Sequence, residues 1–364
     1  MTKSALPNSA PRSLGLDALR TLAILGMMAA HTSRMIEFDF RPVWSVWVLL
    51  LEPIIPSLFL LMVGISLTLS LQKFREKNAG ASTRHPARVW YLRQVRRAGI
   101  LWAIGCVFYL LELGPRFPDF LTASGVLATI AYAIIGVGAL LLIPYKEWAI
   151  GVALCVGLAV FIGLDLAGQR VFAVNTGNAP FLPLWLFALA GALWALLRRR
   201  VPRAVFWAGL VGAGLAAYLI FYFGLDALFT KPFGRSDAGR MLAPPWFIAG
   251  EERRVGYYNL RPLLALCCLG LHLGALSLLG LVDRVGRSTA TRLFPLFVLG
   301  RHSLEAYVGH LTLLALLVVV YGMRPLKTAA QGNAVLAGLI VTVTALLLWR
   351  ERIKFVRQNK LSTQ

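Results

Sequence analysis

The chain is 364 residues long, 58% hydrophobic and only 15% charged, where soluble domains run near 45–50% and about 25%. Its mean hydropathy of +0.70 and its apolar runs of about 17–25 residues, each able to cross a roughly 30 Å hydrocarbon layer, exclude soluble and β-barrel classes and predict an all-α polytopic membrane protein. The net charge of +21 does not indicate nucleic acid, because the cations gather in short connections between apolar runs, where they orient the chain and meet anionic lipid head groups.

A polar N-tail, 1–14, leads into about ten spans, near 15–36, 44–72, 98–114, 121–143, 148–164, 181–197, 204–224, 262–282, 294–322 and 332–349. With the N-terminus cytoplasmic, the inside connections carry about 23 Lys and Arg and the outside ones about 11, which sets both termini in the cytoplasm. The domain plan is therefore one transmembrane domain over 15–349, with an outer loop at 225–261, and a basic cytoplasmic tail at 350–364. The first apolar run lacks a small-residue cleavage site and is expected to stay as a helix. Cys106, Cys155, Cys267 and Cys268 all lie in apolar runs and serve as small hydrophobes, with no disulfide framework and no metal site expected.

Ionisable groups inside the layer cost about 2.5–3.5 kcal/mol each and are functional suspects. In the first span, LGLDALRTLAILGMMAAHTSRMI, Arg20 and His31 are eleven residues apart. That spacing returns them to within about 20° of one face, roughly 16 Å apart along the axis. Asp17 shares the stripe. The plain alternative is that Arg20 pairs with Asp17 at the helix end and His31 bonds a neighbouring helix.

The second span carries Glu52 about two turns in from outside, at a depth similar to that of His31. It would orient the imidazole as a base–orienter pair, or pair with Arg34 or Arg41. Glu112 reads as interfacial. His272, alone in the eighth span, reads as a hydrogen-bonded core histidine.

The ninth span, LGRHSLEAYVGH, exceeds one crossing, and Leu299-Gly300-Arg301 is expected to break it into a short leading segment and a helix. On that helix Ser303, Tyr307 and His310 share a face within about 60°, with His302, Glu305 and Gly309 on another. Polar helix packing would explain the two stripes equally. Two cytoplasmic basic groups, Lys73 to Arg97 and Arg198-Arg199-Arg200, could bind phosphates of a nucleotide-type donor, although orientation signal alone accounts for both.

These residues carry a family likeness. The chain resembles the membrane acyltransferase superfamily, which includes the acyltransferase-3 proteins and bacterial relatives of heparan-α-glucosaminide N-acetyltransferase. LDALRTLAILGMMAAH is similar to the family's opening helix, with its arginine and histidine at Arg20 and His31. EPIIPSLFLLMVGISLTLS resembles the second helix through Pro56, Phe59, Gly64, Ser66 and Ser70. PFLPLWLFALAGAL, with Pro183 and Gly191, is similar to a mid-chain helix. The late segment matches a glycine–arginine–serine lead-in and a tyrosine–x–x–histidine at Gly300, Arg301, Ser303, Tyr307 and His310. One departure is Thr21, where the family usually has glycine; its hydroxyl narrows close backbone packing there.

The resemblance implies an acyltransferase in a bacterial inner membrane. It would move an acyl group, acetyl in the first instance, from cytosolic acyl-CoA to a hydroxyl or amine of a sugar or glycan-type acceptor outside. No permanently bound cofactor is implied; acyl-CoA, the acceptor and membrane lipids are the partners. His31, Glu52 and Glu305 are the implied catalytic groups, and Arg20, Arg301, Ser303, Tyr307 and His310 the implied substrate-binding ones. His31 would either carry the acyl group or act as general base. Trp246 and Tyr257 in the outer loop suit carbohydrate stacking or interfacial anchoring. The intramembrane charges by themselves would also suit a proton-coupled secondary transporter.

Overall fold

A computed structural model describes residues 13–36, 44, 54–78, 86–113, 121, 125–167, 181–230, 262–280, 297–321 and 326–362. Among them the elements are α1 (Leu14–Arg34), α2 (Ile54–Lys77), α3 (Pro86–Leu113), α4 (Gly125–Leu140), α5 (Lys146–Leu166), α6 (Phe181–Arg200), α7 (Pro202–Thr230), α8 (Pro262–Leu279), α9 (Val298–Arg301), α10 (Ser303–Tyr321) and α11 (Ala329–Ser362). The described residues hold no strand beyond one isolated bridge, Ile36 to Leu326.

Local chemistry sets the helix ends. The Ser13 hydroxyl accepts from Leu16 N at 3.2 Å and Asp17 sits in the first turn of α1, so both an unpaired amide and the helix dipole are answered. Helices α3, α7 and α8 each begin on proline, where the missing N–H costs nothing. Cations close α2 (Arg75, Lys77) and α6 (Arg198 to Arg200), complementing the carbonyl ends.

Among the described residues, eight helices are long and apolar enough to cross a membrane; the chain is an integral membrane protein. The two remaining expected spans correspond to α3 and α4. The first half of α3 is basic, with Arg88, Arg93, Arg96 and Arg97, and α4 is only 16 residues long. The helices also outrun the expected spans: α3 starts at Pro86, α7 reaches Thr230 and α11 runs to Ser362 through the basic tail. Hydropathy marks only the part in hydrocarbon. A helix already nucleated extends into polar sequence at little cost.

The chain packs as two compact units, Leu49–Ala275 and the pair Met1–Val48 with Leu276–Gln364. In the first, α6 packs against α2, α4, α5 and α7. The α2–α6 contact is a backbone-to-backbone approach. A Cβ on Gly64 would overlap Ala188 O, and one on Gly191 would overlap Leu61 O, the small-residue logic of helix association in lipid. Helices α7 and α8 meet in the same way at Gly212 and Gly270.

Two polar contacts in this unit cross between helices. Trp90 Nε1 donates to Ser70 Oγ at 3.1 Å, and Ser57 Oγ meets His272 Nε2 at 2.8 Å. His272 is buried with Phe187 edge-on to its ring, as expected for a core histidine. By contrast α5 and α7 turn large apolar side chains outward, Val152, Val156 and Val160 forming one stripe. In lipid such a face is the stable one.

In the second unit, α1 packs against α9, α10 and α11, with Ile24 and Met28 fully buried. Leu326 N donates to Met35 O at 2.8 Å, and Trp44 Nε1 donates to Asn333 Oδ1 at 2.6 Å. These bonds tie the far end of α1 to the approach to α11.

Gly64→Ala or Gly191→Ala should lower the thermal stability of the protein in detergent, at or above the usual overpacking cost of about 1–3 kcal/mol. Gly99→Ala, where a Cβ meets nothing within 4 Å, should be neutral or mildly stabilising. Equal melting temperatures for all three variants would refute the close approach.

Candidate active site on the first and tenth helices

The expected site residues that the structure describes lie in the unit built from both ends of the chain. At the foot of α1, Arg20 Nη1 pairs with Asp17 Oδ1 at 3.0 Å, with both side chains largely buried. The i, i+3 pairing was the plain alternative for Arg20, and it keeps the guanidinium at the helix end instead of letting it snorkel away.

Thr21 does more than narrow the packing. Its hydroxyl donates to Asp17 O at 2.9 Å and accepts from Gly300 N at 3.0 Å. A Cβ on Gly300 would overlap Asp17 O and crowd the Thr21 hydroxyl at 2.7 Å, so only glycine lets α9 approach α1 this closely. The expected break follows at once. His302 has φ −113° and ψ 39°, outside the helical region, between α9 and α10. The short α9 is thus pinned to α1 and sets where α10 begins.

That placement brings α10 alongside the outer half of α1. His31 Nδ1 lies 3.0 Å from His310 Nε2, and the rings are nearly parallel at 17° with centroids 5.2 Å apart. His310 is fully buried, its Nδ1 is 3.1 Å from Ala306 O, and buried Tyr307 stands edge-on to its ring. A carbonyl only accepts, so His310 Nδ1 carries a proton. Neutral His310 then accepts at Nε2, and His31 donates from Nδ1. In that tautomer the unprotonated ring nitrogen of His31 is Nε2. His31 itself is half-buried.

The other expected site residues divide. Tyr307 and His310 share a face of α10 and join His31. Ser303 begins the same helix, half-buried, and Arg301 is exposed at the end of α9. Glu305 lies about 140° around α10 from His310. It contacts His302 Nδ1 at 2.8 Å and pairs with Arg350. His302 Nε2 in turn lies 3.0 Å from Glu351, which holds Lys354 at 3.2 Å. Glu305 thus lies in a charged tie between α10 and α11, apart from the His31–His310 contact. Glu52 and the side chain of Glu112 lie outside the described residues, as do Trp246 and Tyr257. Among the described residues no group of three His, Cys, Asp or Glu could hold a metal ion.

Two contributors escaped the sequence reading. Thr21 was legible only as a departure from glycine, and Glu351 only as a lone acid in a basic tail. Neither spacing signals the interhelical partner, Gly300 for Thr21 and His302 for Glu351, because that partner comes from another helix.

Thr21→Val should destabilise the protein by about 1–3 kcal/mol, the cost of leaving a buried amide unpaired, while Thr21→Ser should recover most of it. Thermal unfolding in detergent checks this. Equal stability of the valine variant would show that Gly300 N does not depend on that hydroxyl.

Comparison with known proteins identifies the family. Among curated proteins, none matches the chain. The model of a family described as an acyltransferase domain, acyltransferase-3, matches residues 13–350, from the cap of α1 to α11. The chain belongs to the acyltransferase-3 family and is a membrane acyltransferase.

Proposed function

We propose that the protein takes an acyl group, acetyl in the simplest case, from cytosolic acyl-CoA. It passes that group to a hydroxyl or amine of a sugar or glycan-type acceptor at the outer face of a bacterial inner membrane. The observation that carries the reading is the directed hydrogen-bond chain from Ala306 O through His310 to His31. A neutral imidazole fixed in one tautomer, with its Nε2 lone pair defined, is what acyl transfer needs and what mere helix packing does not.

The steps balance simply. The acceptor oxygen or nitrogen attacks the thioester carbonyl carbon and loses its proton to His31 Nε2. The carbon–sulfur bond breaks, and the departing CoA sulfur takes that proton back. His310 holds the ring in place throughout and stabilises the transient imidazolium by accepting its Nδ1 hydrogen bond. Arg20, roughly 16 Å below on the same stripe, suits the anionic end of the donor, and the long arm of CoA would bridge the interval. Tyr307 walls the ring pair. The same lone pair would serve as nucleophile if the acyl group rests on His31 before moving to the acceptor.

Purified protein incubated with radiolabelled acetyl-CoA should cleave the thioester. His31→Ala should lose activity by on the order of 10²–10⁴-fold, the usual worth of a general base. His310→Ala should lower kcat by more than about tenfold with little change in KM, the signature of lost positioning and not of lost donor binding. Label retained on acid-quenched wild-type protein would identify the acyl-histidine route. Wild-type protein that neither binds nor cleaves acyl-CoA would end the proposal.

A further inference from the structure

We propose, resting on the acyl-transfer reading above, that His302 is a positioning residue for the chemistry at His31. It acts as an imidazolium clamped between Glu305 and Glu351 at the point where α10 begins. All of these groups belong to the unit built from both ends of the chain.

The backbone makes residue 302 the origin of α10. His302 is the non-helical residue between α9 and α10. Its amide donates to Val298 O at 3.0 Å, and its carbonyl accepts from Ala306 N at 2.8 Å. Ala306 O then meets His310 Nδ1, and His310 Nε2 meets His31 Nδ1. Steps of four residues thus lead from the His302 peptide to the carbonyl that fixes the His310 tautomer. A rotation at residue 302 passes to that carbonyl through backbone alone.

The side chain is held from two sides. Nδ1 lies 2.8 Å from Glu305 Oε2, three residues on, and Nε2 lies 3.0 Å from Glu351 Oε1 on α11. A neutral imidazole would turn a lone pair toward one of these carboxylates, whereas the imidazolium presents an N–H to each. Both carboxylates also meet a cation, Arg350 on Glu305 and Lys354 on Glu351, so they act as acceptors and leave the protons to the ring. His302 Nε2 and Glu305 Oε2 are sealed from water and not aligned as hydrogen bonds. Their contacts therefore hold by charge, which is little screened where solvent is excluded. Arg301 on α9 also attracts Glu351. Helix α1, packed against α9, brings the Arg20–Asp17 pair to its foot.

A clamp that favours the protonated ring is present at low pH and opens as pH rises and the ring loses a proton. The Glu305–Arg350 pair remains when it opens, so α10 stays docked on α11 while its origin loosens. The consequence is a slower reaction in a folded protein.

The full chain in detergent micelles is assayed for acetyl-CoA cleavage across pH. Wild-type kcat should fall as pH rises, with KM for acetyl-CoA little changed. His302→Gln, neutral at every pH, should be on the order of tenfold slower and lack that alkaline fall; a full 1 Å misplacement can cost about 10²-fold. His302→Arg, charged at every pH, should also lack the fall while keeping kcat nearer to wild type. An alkaline fall that persists unchanged in both variants, or an effect confined to KM, overturns the proposal. Nuclear magnetic resonance of protein carrying isotope-labelled histidine needs no turnover. The ring signal missing from His302→Gln should show both nitrogens protonated in mildly acidic buffer and lose one proton as pH rises, and the His310 signal should move with it. Wild-type protein that never cleaves the thioester would end the acyl-transfer reading alone. A His302 ring that is neutral throughout, or a His310 signal indifferent to it, would end this one.

Discussion

Much of this protein depends on one close approach, the contact of the Gly300 backbone with the first helix. Without a side chain at 300, the α9 backbone reaches Asp17 O and hands its amide to the Thr21 hydroxyl. A short helix fixed at that point sets the origin and register of α10. Seven residues further on, the register delivers His310 to His31. Moving α10 by a single residue would rotate its polar face by about 100° and turn His310 away from α1. Packing at the foot of the helix thus decides which imidazoles meet halfway up it.

The same economy governs the other costly groups. A polar atom in hydrocarbon that lacks a partner loses several kcal/mol, and here several buried polar groups find one, within a helix or across two. Arg20 meets Asp17, His272 meets Ser57, and His31 meets His310. These contacts differ in what they leave over. In the buried Ser57–His272 pair both partners are enclosed, which suits cohesion. In the His31–His310 pair one partner is buried and the other half-exposed, which suits reaction. Burial thus distinguishes the proposed base, His31, from the enclosed His272.

Intramembrane charge by itself is compatible with proton-coupled transport as well as group transfer. Membership of the acyltransferase-3 family decides for acyl transfer, and the ring tautomer forced by Ala306 O gives that assignment a physical form. Glu305 illustrates the limit of reading roles from type. It lies in the right helix with the right chemistry, yet its carboxylate is engaged by His302 and Arg350.

The all-helical membrane architecture was legible in the sequence because hydrocarbon thickness imposes a length on every span and leaves no other way to satisfy the backbone. So was a break in the overlong apolar run near Gly300, although Leu299-Gly300-Arg301 stay helical and the chain leaves the helix at His302, and so was the stripe joining Arg20 to His31, since helical period is a local property. Which carboxylate or imidazole would meet His31 was not. His310 is 279 positions away in the chain, and nothing in local spacing encodes how two helices are rotated against each other. That rotation is set by where backbones can touch, at Gly300 and Thr21, and only the packed chain reveals it. The helix ends escaped for a related reason: hydropathy records where lipid is, whereas the backbone ladder continues past it.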